Sequence, residues 1–362
     1  MSLRAPPEPL AFVVPGSLDT RTGGYGYDRR IVKALRDADR RVTVHELPGS
    51  YPWPNVADRD TARATLERIE ERLVVIDGLA FGVLPDVIAA SLSNRDRVII
   101  ALVHHPLADE YGLDAAEQDQ LQTSERRALA LADGVVTTSH ATAQRIAAFE
   151  VAASRISTVT PGTDEAPVAA GSASGANHLL SVATLTPRKG HAVLIDALAR
   201  LPSRDWHLHC VGSTTRDLAT TAALQRQISE RSLTTSVTLH GEVDDSTLEN
   251  HYSRADLFVL ATHLEGYGMV FDEAIAHGLP IIASGAGAVA TTVPADAGLV
   301  VAANDVQALQ GALTRWFTEP ELRSSLRAGA RQQRRELTSW QATGQCFSTA
   351  IDRLAAMGVA NR

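Results

Sequence analysis

Cysteine and lysine are scarce in this chain of 362 residues. Its two cysteines, Cys210 and Cys346, lie far apart and form no CxxC pair. This pattern excludes a disulfide framework and a cysteine-based zinc site, so we expect a reducing compartment and no structural metal. Of the 34 basic residues only Lys33 and Lys189 are lysines, which makes the motif that contains the second one easy to notice.

Long apolar runs are also missing from the sequence. The N-terminal segment MSLRAPPEPLAFVVPG has too short an apolar run for a signal peptide, and no later segment approaches a membrane-spanning helix. The net charge of −8 argues against a protein that binds the nucleic-acid backbone, because such proteins usually carry a basic surface. We therefore expect a soluble, cytoplasmic protein whose membrane contact is at most peripheral.

Short apolar segments alternate with helical patterns along the whole chain. This alternation predicts parallel sheets with helices on both faces, and the length suits two α/β domains of about 150–180 residues each. The predicted strands are residues 10–14, 42–45, 73–78, 98–103, 134–138 and 156–160 in the first half, and residues 179–184, 206–211, 237–240, 257–261, 280–283 and 298–301 in the second.

A segment rich in alanine, glycine and serine, residues 165–177, shows no periodicity and predicts an interdomain linker. It separates a Rossmann-like domain at residues 1–164 from a second one at residues 178–338. Residues 339–362 are expected to form a helix that packs back on the first domain. Because ligands of open parallel sheets bind at the carboxyl ends of the strands, two such domains predict a ligand cleft between them.

The strongest motif is EGYGMVFDE at residues 265–273, followed by AIAHGLPIIAS. It predicts a strand end, a glycine turn and a helix from about Met269 to His277. The glycines let the backbone approach a ligand, and the helix N-terminus offers N–H groups and a positive dipole end to a phosphate. Glu265 and Glu273 lie about two helical turns apart, so we expect them to contact different parts of one ligand. The competing interpretation is a plain strand–turn–helix with solvated glutamates.

The spacing Glu-x7-Glu with interior glycines, followed by A-x-A-x-G-x-P-I-x-A-S, resembles retaining glycosyltransferases of family 4 (glycosyl transferases group 1), which have the two-domain GT-B fold. The resemblance is strongest from about Leu179 to Val301 and looser in the N-terminal half. It implies transfer of a hexose from a nucleotide diphosphate sugar, with UDP or GDP as the nucleotide, to a sugar, lipid or small-molecule acceptor. It also implies that Glu265 and the backbone of residues 266–269 contact the donor sugar and diphosphate, and that Glu273 accepts hydrogen bonds from the ribose.

A second motif, VATLTPRKGHAVLIDAL at residues 182–198, places Arg188 and Lys189 before a predicted helix. Two cations beside a helix N-terminus form a favourable diphosphate site, whereas the competing interpretation is a solvated basic turn. Many family members have an arginine where this chain has Thr184. By this resemblance Arg188 is expected to supply the missing guanidinium, and the division of roles between Arg188 and Lys189 stays open.

A third motif, GGYG at residues 23–26, stands before a predicted helix that carries Arg29. It resembles the glycine loop of the family's first domain, whose backbone approaches the diphosphate and the acceptor. The alternative is a dinucleotide-binding G-x-G-x-x-G, with Arg29 at the third glycine position and Glu46 as the acidic residue about 20 positions on.

His104 ends the predicted strand at residues 98–103, and the resemblance favours it over His105 for a hydrogen bond to the donor sugar. Ser139, after the next strand, is either a helix N-cap or a ligand contact. The candidate catalytic residues are His104, Arg188, Lys189 and Glu265. The candidate donor-binding residues are Gly23, Gly24, Arg188, Lys189, Gly212, Glu265, Gly266, Tyr267, Gly268, Met269, Val270 and Glu273.

The mechanism expected from these features needs no metal, because fixed cations neutralise the departing diphosphate and no D-x-D motif stands at a strand end. Retention of configuration is implied by the resemblance alone, and a front-face route with the leaving phosphate as base is favoured. The alternatives are a nucleotide-sugar 2-epimerase or phosphorylase of the same fold, a nicotinamide-dependent dehydrogenase and a catalytically silent sugar-nucleotide binder. The base, the sugar, the acceptor and the oligomeric state do not follow from the sequence.

Overall fold

The structure, a computed structural model, describes residues 7–92, 96–172 and 177–360. The chain divides into two compact units. Unit 1 comprises Met1–Gly162 and Thr338–Arg362, and unit 2 comprises Thr163–Leu337. Within the described ranges, no helix combines the length and the hydropathy that crossing a membrane requires.

Strands and helices alternate through both units. The strands are β1 (Leu10–Pro15), β2 (Val42–Leu47), β3 (Leu73–Asp77), β4 (Val98–Val103), β5 (Gly134–Thr137), β6 (Ile156–Thr158), β7 (Asn177–Val182), β8 (Trp206–Val211), β9 (Val237–Gly241), β10 (Leu257–Leu260), β11 (Leu264–Glu265), β12 (Ile281–Ser284), β13 (Ala286–Gly287) and β14 (Gly298–Val301). The helices are α1 (Gly23–Asp37), α2 (Val56–Glu67), α3 (Gly78–Phe81), α4 (Pro85–Ser91), α5 (Ala115–Leu129), α6 (His140–Ala147), α7 (His191–Ala199), α8 (Leu218–Glu230), α9 (Asp245–Arg254), α10 (Met269–Ala276), α11 (Val289–Thr292), α12 (Val306–Thr318), α13 (Pro320–Gln333) and α14 (Trp340–Ala360).

Unit 1 contains a six-stranded parallel sheet in the order β2-β1-β3-β4-β5-β6. Every residue of β1, β3 and β4 is buried, since helices cover both faces of the sheet. This burial explains why the strands read as continuous apolar runs rather than as an alternating pattern. The α/β prediction with parallel sheets is confirmed, and each of the six predicted strands of this half overlaps an observed one.

Unit 2 contains a second six-stranded parallel sheet, in the order β14-β12-β10-β7-β8-β9. In the first sheet β2 lies on one side of β1 and β3 on the other, and in the second sheet β8 and β10 lie on opposite sides of β7. Such a reversal leaves a crevice outside the carboxyl ends of the strands. A short two-stranded sheet, β11 with β13, lies beyond these ends and was not predicted. Glu265 is the second residue of β11, so the strongest sequence motif starts on this short strand.

The C-terminal helix α14 packs within unit 1. A Cβ added to Gly344 would lie 2.4 Å from Cβ of Ala34 in α1, so the two helices meet at very small side chains. Arg40, which follows α1, donates to Asp352 at 2.6 Å. Leu354 of the same helix lies against Gly134 at the start of β5. The end of the chain is thereby joined to the first half of the sequence.

The predicted linker, residues 165–177, differs from the observed structure. Residues 173–176 lie outside the described residues, and β7 already begins at Asn177. The preceding segment belongs to unit 2, because Ala169 N donates to His277 O at 2.8 Å and Ala170 N donates to Ser253 O at 2.9 Å. Low periodicity in the sequence therefore marks a segment held by backbone hydrogen bonds rather than by an apolar face.

The contact between α1 and α14 predicts that alanine substitutions at two helical glycines, Gly344 and Gly311, change the free energy of unfolding in opposite directions. Gly344→Ala should destabilise the chain by about 1–3 kcal/mol, because the new methyl group overpacks against Ala34. Gly311→Ala in α12 is the matched control, since a Cβ there meets no atom within 4 Å. This control should stabilise by about 0.5–1 kcal/mol through helix propensity. Urea unfolding measures both, and equal stabilisation by the two substitutions would contradict the packing described.

Candidate functional site

Glu265 forms an ion-pair cluster with the two cations of the second sequence motif. Lys189 Nζ donates to Glu265 Oε1 at 2.6 Å, and Arg188 Nη1 lies 3.6 Å from Glu265 Oε2. Arg188 Nη1 also donates to the carbonyl oxygen of Leu264 at 2.9 Å. The turn after β7 and the loop after β10 are thereby tied together, so the two strongest sequence motifs form one cluster in unit 2.

Backbone contacts fix the same two loops. The carbonyl oxygen of Arg188 accepts from His263 N at 2.8 Å and from Thr262 Oγ1 at 3.1 Å. Gly190, which precedes α7, has φ 63°, and a Cβ at this position would come within 1.8 Å of the carbonyl oxygen of Ala261. Only glycine allows the turn to approach the end of β10 so closely.

The cluster carries an excess of positive charge. The Glu265 side chain is 7% exposed, whereas Lys189 and Arg188 keep 17% and 22% of their side-chain surface in solvent. Burial raises the pKa of Glu265, but the positive charges of Lys189 and Arg188 outweigh this effect and hold the pKa below its usual range. The carboxylate is therefore charged at neutral pH. Two solvent-reachable cations around one carboxylate suit an anionic ligand such as a diphosphate.

Helix α10 begins directly after this cluster. Gly268 precedes it with φ 91°, and a Cβ there would lie 2.7 Å from the ring of Phe271. The predicted helix, residues 269–277, ends one residue earlier at Ala276. Met269 opens the helix, so its N–H belongs to the first turn, where backbone donors lack intrahelical acceptors and the dipole end is positive.

Hydrogen bonds hold the turn between β11 and α10. Tyr267 Oη donates to Asp272 Oδ2 at 2.6 Å, and Thr292 Oγ1 donates to the carbonyl oxygen of Tyr267 at 2.8 Å. Burial raises the pKa of Asp272 to about 6. Gly266 lies within this turn, and Val270 lies in the first turn of the helix. The glycine segment is therefore an ordered turn rather than a loose loop.

Glu273 has a different partner from Glu265. Tyr252 Oη, from α9, donates to Glu273 Oε2 at 2.9 Å. Tyr252 is 3% exposed, and its ring stacks on His277 with the centroids 4.6 Å apart. The two glutamates of the motif thus occupy different environments: one is surrounded by cations and the other is held by a phenol hydroxyl.

Gly212 lies where the ends of three strands of unit 2 come close together. It follows β8 with φ 149°, and a Cβ there would lie 2.1 Å from the carbonyl oxygen of Ala183, after β7. Gly212 N donates to the carbonyl oxygen of Gly241, the last residue of β9, at 2.9 Å. The position requires glycine for structural reasons, and its role toward a donor stays a prediction.

In unit 1, His104 lies between two buried carboxylates. Its Nε2 is 3.3 Å from Asp28 Oδ1 and 3.1 Å from Asp77 Oδ2, and these acidic side chains are 1% and 7% exposed. A Cβ added to Gly24 would lie 3.4 Å from the His104 ring. The structure therefore brings Gly24 and His104 together, and it adds two carboxylates that the sequence analysis did not identify.

The glycines at residues 23–26 do not form a loop before the helix, so that prediction is wrong. Helix α1 begins at Gly23, and Gly26 N donates to the carbonyl oxygen of Thr22 at 2.8 Å, which closes the first helical turn. Neither Gly23 nor Gly24 has a positive φ. Gly24 instead lies in the first turn of the helix, beside the ring of His104.

The two carboxylates control the charge of His104. Burial lowers the pKa of His104, but Asp28 and then Asp77 outweigh this effect and raise the pKa to about 10. One ring nitrogen and two carboxylate oxygens lie close enough together to hold a metal ion. The imidazolium already supplies the positive charge that the buried carboxylates need, so the cluster is stable without a metal.

The dinucleotide alternative is not favoured by the contacts around the loop after β1. Arg29 Nη1 donates to the carbonyl oxygens of Leu18 and Thr20 at 2.6 and 2.8 Å. Glu46 Oε1 accepts from Leu18 N at 2.7 Å. The acidic residue that would bind a ribose in that interpretation therefore binds the protein's own backbone.

Comparison with known proteins points to one family. A family model described as glycosyl transferases group 1 matches residues 163–333, nearly the whole of unit 2. A D-inositol 3-phosphate glycosyltransferase of Jonesia denitrificans is 31% identical over 194 residues, which cover 52% of this chain and 44% of that protein. A GDP-mannose-dependent monoacylated alpha-(1-6)-phosphatidylinositol monomannoside mannosyltransferase of Corynebacterium glutamicum is 30% identical over 176 residues, 46% of this chain and 45% of that protein. The matched region thus spans less than half of each of these two relatives.

A solved structure shares the fold over almost the full chain. Sucrose-phosphate synthase of Thermosynechococcus elongatus superposes with a TM-score of 0.80 at 20% identity, and the match covers 96% of this chain and 99% of that one. At this identity the likeness shows the fold alone. It confirms the GT-B prediction of two Rossmann-like domains with parallel sheets.

The charge state of His104 predicts a pH dependence of stability. Its pKa of about 10 in the folded chain lies above the value of about 6.5 for an unfolded histidine. A group whose pKa is raised by folding stabilises fully below the unfolded value and loses this contribution as pH rises through the folded value. The free energy of unfolding should therefore fall between pH 7 and 10, and His104→Gln should reduce that fall.

Urea unfolding at several pH values measures this effect. His105→Gln is the matched control, because it removes the neighbouring imidazole, which lies 3.4 Å from the more exposed Glu110. The control should keep the wild-type slope of stability against pH. An identical slope in His104→Gln and wild type would show that the imidazolium does not stabilise Asp28 and Asp77.

Proposed function

We propose that the chain transfers a hexose from a nucleotide diphosphate sugar to an acceptor with retention of anomeric configuration. The match of residues 163–333 to the glycosyl transferases group 1 family supports this activity. Unit 2 binds the donor in this proposal, and unit 1 binds the acceptor. The observation that carries the proposal is the ion-pair cluster of Glu265, Lys189 and Arg188. The first turn of α10 follows Glu265 in the chain after a short glycine turn. A charged ligand with both phosphate and sugar groups matches this combination of cations, carboxylate and helix N-terminus.

The chemical step breaks the bond between the anomeric carbon and the diphosphate oxygen and forms a bond to the acceptor hydroxyl oxygen on the same face of the sugar. The acceptor proton passes to the departing phosphate oxygen. Lys189, Arg188 and the N–H groups of Gly268 and Met269 stabilise the negative charge that develops on the diphosphate. Fixed protein cations supply this stabilisation, so the proposed step uses no metal ion.

The two glutamates have separate roles in the proposal. Glu265, held charged by its cations, contacts the transferred hexose, and Glu273 accepts hydrogen bonds from the ribose hydroxyls. In unit 1, the imidazolium of His104 donates a hydrogen bond to a substrate hydroxyl. Gly24 lies next to this ring.

The donor nucleotide is proposed to be GDP or UDP. The name of the Corynebacterium relative, which refers to GDP-mannose, supports GDP, whereas less than half of that protein is matched. A thermal-shift panel of GDP, UDP, ADP and dTDP with their sugars identifies the base, since a ligand that binds only the folded chain raises its melting temperature. The proposal requires a shift with at least one of these diphosphates.

Incubation of the identified donor with sugar, inositol phosphate and lipid acceptors then tests the transfer reaction. The expected result is a glycosylated acceptor and free nucleotide diphosphate, formed equally well in excess EDTA. An epimerised sugar from the donor alone would establish the epimerase alternative, and a change in NADH fluorescence on mixing would support the dehydrogenase. Donor binding without turnover on any acceptor would contradict the proposed transfer.

The different environments of the two glutamates predict different kinetic effects. Glu273→Gln should weaken nucleotide diphosphate and nucleotide sugar about equally, because the ribose is common to both, and should raise KM. Glu265→Gln should mainly lower kcat without weakening free nucleotide diphosphate, because both cations remain. Calorimetry with the two ligands and steady-state kinetics measure these effects. Equal loss of free-nucleotide affinity in both variants would mean that the carboxylates share one role.

The contacts of Arg188 predict that a lysine cannot replace it in nucleotide diphosphate binding. Its guanidinium bonds to Leu264 and approaches Glu265, a planar geometry that lysine cannot reproduce. Arg188→Lys should weaken nucleotide diphosphate binding by about 1–3 kcal/mol, the range for a charge-assisted hydrogen bond. Arg231→Lys is the control, because Arg231 pairs with Asp196 in unit 2 and is 49% exposed. Wild-type affinity of Arg188→Lys, with a loss in Lys189→Ala, would assign phosphate binding to the lysine alone.

A further inference from the structure

Five histidines lie side by side in unit 2 and have no part in the proposed reaction. They are His178, His207, His209, His240 and His251. The ring centroids of neighbouring pairs are between 4.4 and 6.4 Å apart. The chain has 12 histidines in all, so this one cluster holds a large share of them. Such a concentration of imidazoles calls for a chemical explanation.

The sheet places two of these rings on one face. His209 of β8 pairs with Thr238 of β9, but the register shifts after Leu239, and Val211 pairs with Gly241. His240 is therefore an extra residue without an opposite partner, which is a β-bulge. Bulges redirect a side chain and often occur beside functional sites. The ring of His240 stacks on that of His209, with the centroids 5.2 Å apart.

Helix α9 adds the third ring to this face. The centroids of His251 and His240 are 4.4 Å apart, and those of His251 and His209 are 5.5 Å apart. One nitrogen from each of the three rings lies within 4.8 Å of the other two. We propose that His209, His240 and His251 bind one divalent transition metal ion through these nitrogens.

The distances between the ring nitrogens suit a metal ion after small side-chain rotations. His209 Nδ1 lies 3.0 Å from His240 Nε2. Zn–N bonds of about 2.0–2.1 Å place the ligand nitrogens of a tetrahedral site roughly 3.3 Å apart, so an ion between these rings needs little movement of this pair. Three imidazoles leave a fourth position for water, and imidazole ligands favour Zn²⁺, Cu²⁺ and Ni²⁺.

A fourth histidine supports one of the ligands from behind. His209 Nε2 lies 3.2 Å from His178 Nδ1, so the ring nitrogen that does not face His240 has a hydrogen-bond partner of its own. Metal-binding histidines almost always hydrogen-bond through their second nitrogen, which fixes the ring and its tautomer. His209 thus has the two contacts expected of a ligand: its Nδ1 faces the proposed ion and its Nε2 bonds to His178.

The electrostatic environment keeps the rings neutral. Burial, and then the neighbouring histidines with His207 first, lower the pKa of His209 to about 3. Burial also lowers the pKa of His240 and of His251. The three rings are half-buried, which leaves a path for an ion from solvent.

Calorimetric titration of the tag-free chain with Zn²⁺ after chelator treatment tests the proposal. The expected result is one ion per chain, tetrahedral Co²⁺ absorption on substitution with Co²⁺, and a higher melting temperature in the metal-bound chain. His178→Gln should weaken Zn²⁺ binding by about 10–100-fold, as expected of a supporting residue, and His209→Gln, His240→Gln and His251→Gln should each weaken it more than His178→Gln does.

His140→Gln is the matched control, since His140 is an exposed histidine at the start of α6 in unit 1. It should bind Zn²⁺ like wild type. Circular dichroism of each metal-free variant separates loss of binding from loss of folding, and a single substitution that unfolds the chain leaves the other two ligands to decide. Failure of wild type to bind Zn²⁺, or loss of binding only in His104→Gln, would overturn the site. None of these readouts depends on glycosyl transfer.

Discussion

The buried charge of Glu265 is the constraint on which the site in unit 2 depends. A carboxylate removed from water costs several kcal/mol unless cations and hydrogen bonds compensate it. Lys189 and Arg188 provide this compensation, and their positions require that the turn after β7 reach the loop after β10. Gly190 makes that approach possible, because any side chain there would collide with the backbone of Ala261.

The same principle governs His104 in unit 1. Asp28 and Asp77 are buried, and the imidazolium between them is the positive charge that compensates both. A buried ion pair therefore lies at the carboxyl edge of the parallel sheet in each unit. Cations keep Glu265 ionised in unit 2, and carboxylates keep His104 protonated in unit 1. The proposed chemistry uses these fixed charges directly, as donors to a diphosphate in unit 2 and to a hydroxyl in unit 1.

Much of the fold could be predicted from the sequence because buried parallel strands have a clear pattern. The run VIIALV of β4 is apolar throughout, and every one of its residues is buried. Helix α10 could also be predicted within one residue, since Gly268 and Gly278 limit it and both have a positive φ. Apolar runs and helix-limiting glycines can be recognised in the sequence because burial of a strand and termination of a helix depend on residues close together in the chain.

Other features depend on contacts between distant residues, and no local pattern could reveal them. Glu265 and Lys189 are 76 positions apart, so the motifs predicted two separate phosphate and sugar contacts rather than one ion cluster. Asp28 resembles any polar residue in the middle of a helix. The sequence allows Ser139 to be either a helix N-cap or a ligand contact. The structure shows the cap, because Thr142 N donates to Ser139 Oγ at 3.0 Å.

A crystal structure of the chain with its nucleotide diphosphate tests the central claim most directly. We expect the β-phosphate to lie within hydrogen-bond distance of Lys189 Nζ and of the N–H groups of Gly268 and Met269, with Glu265 still paired to Lys189. A diphosphate bound away from α10, with the cluster of Glu265, Lys189 and Arg188 unchanged beside it, would contradict the account.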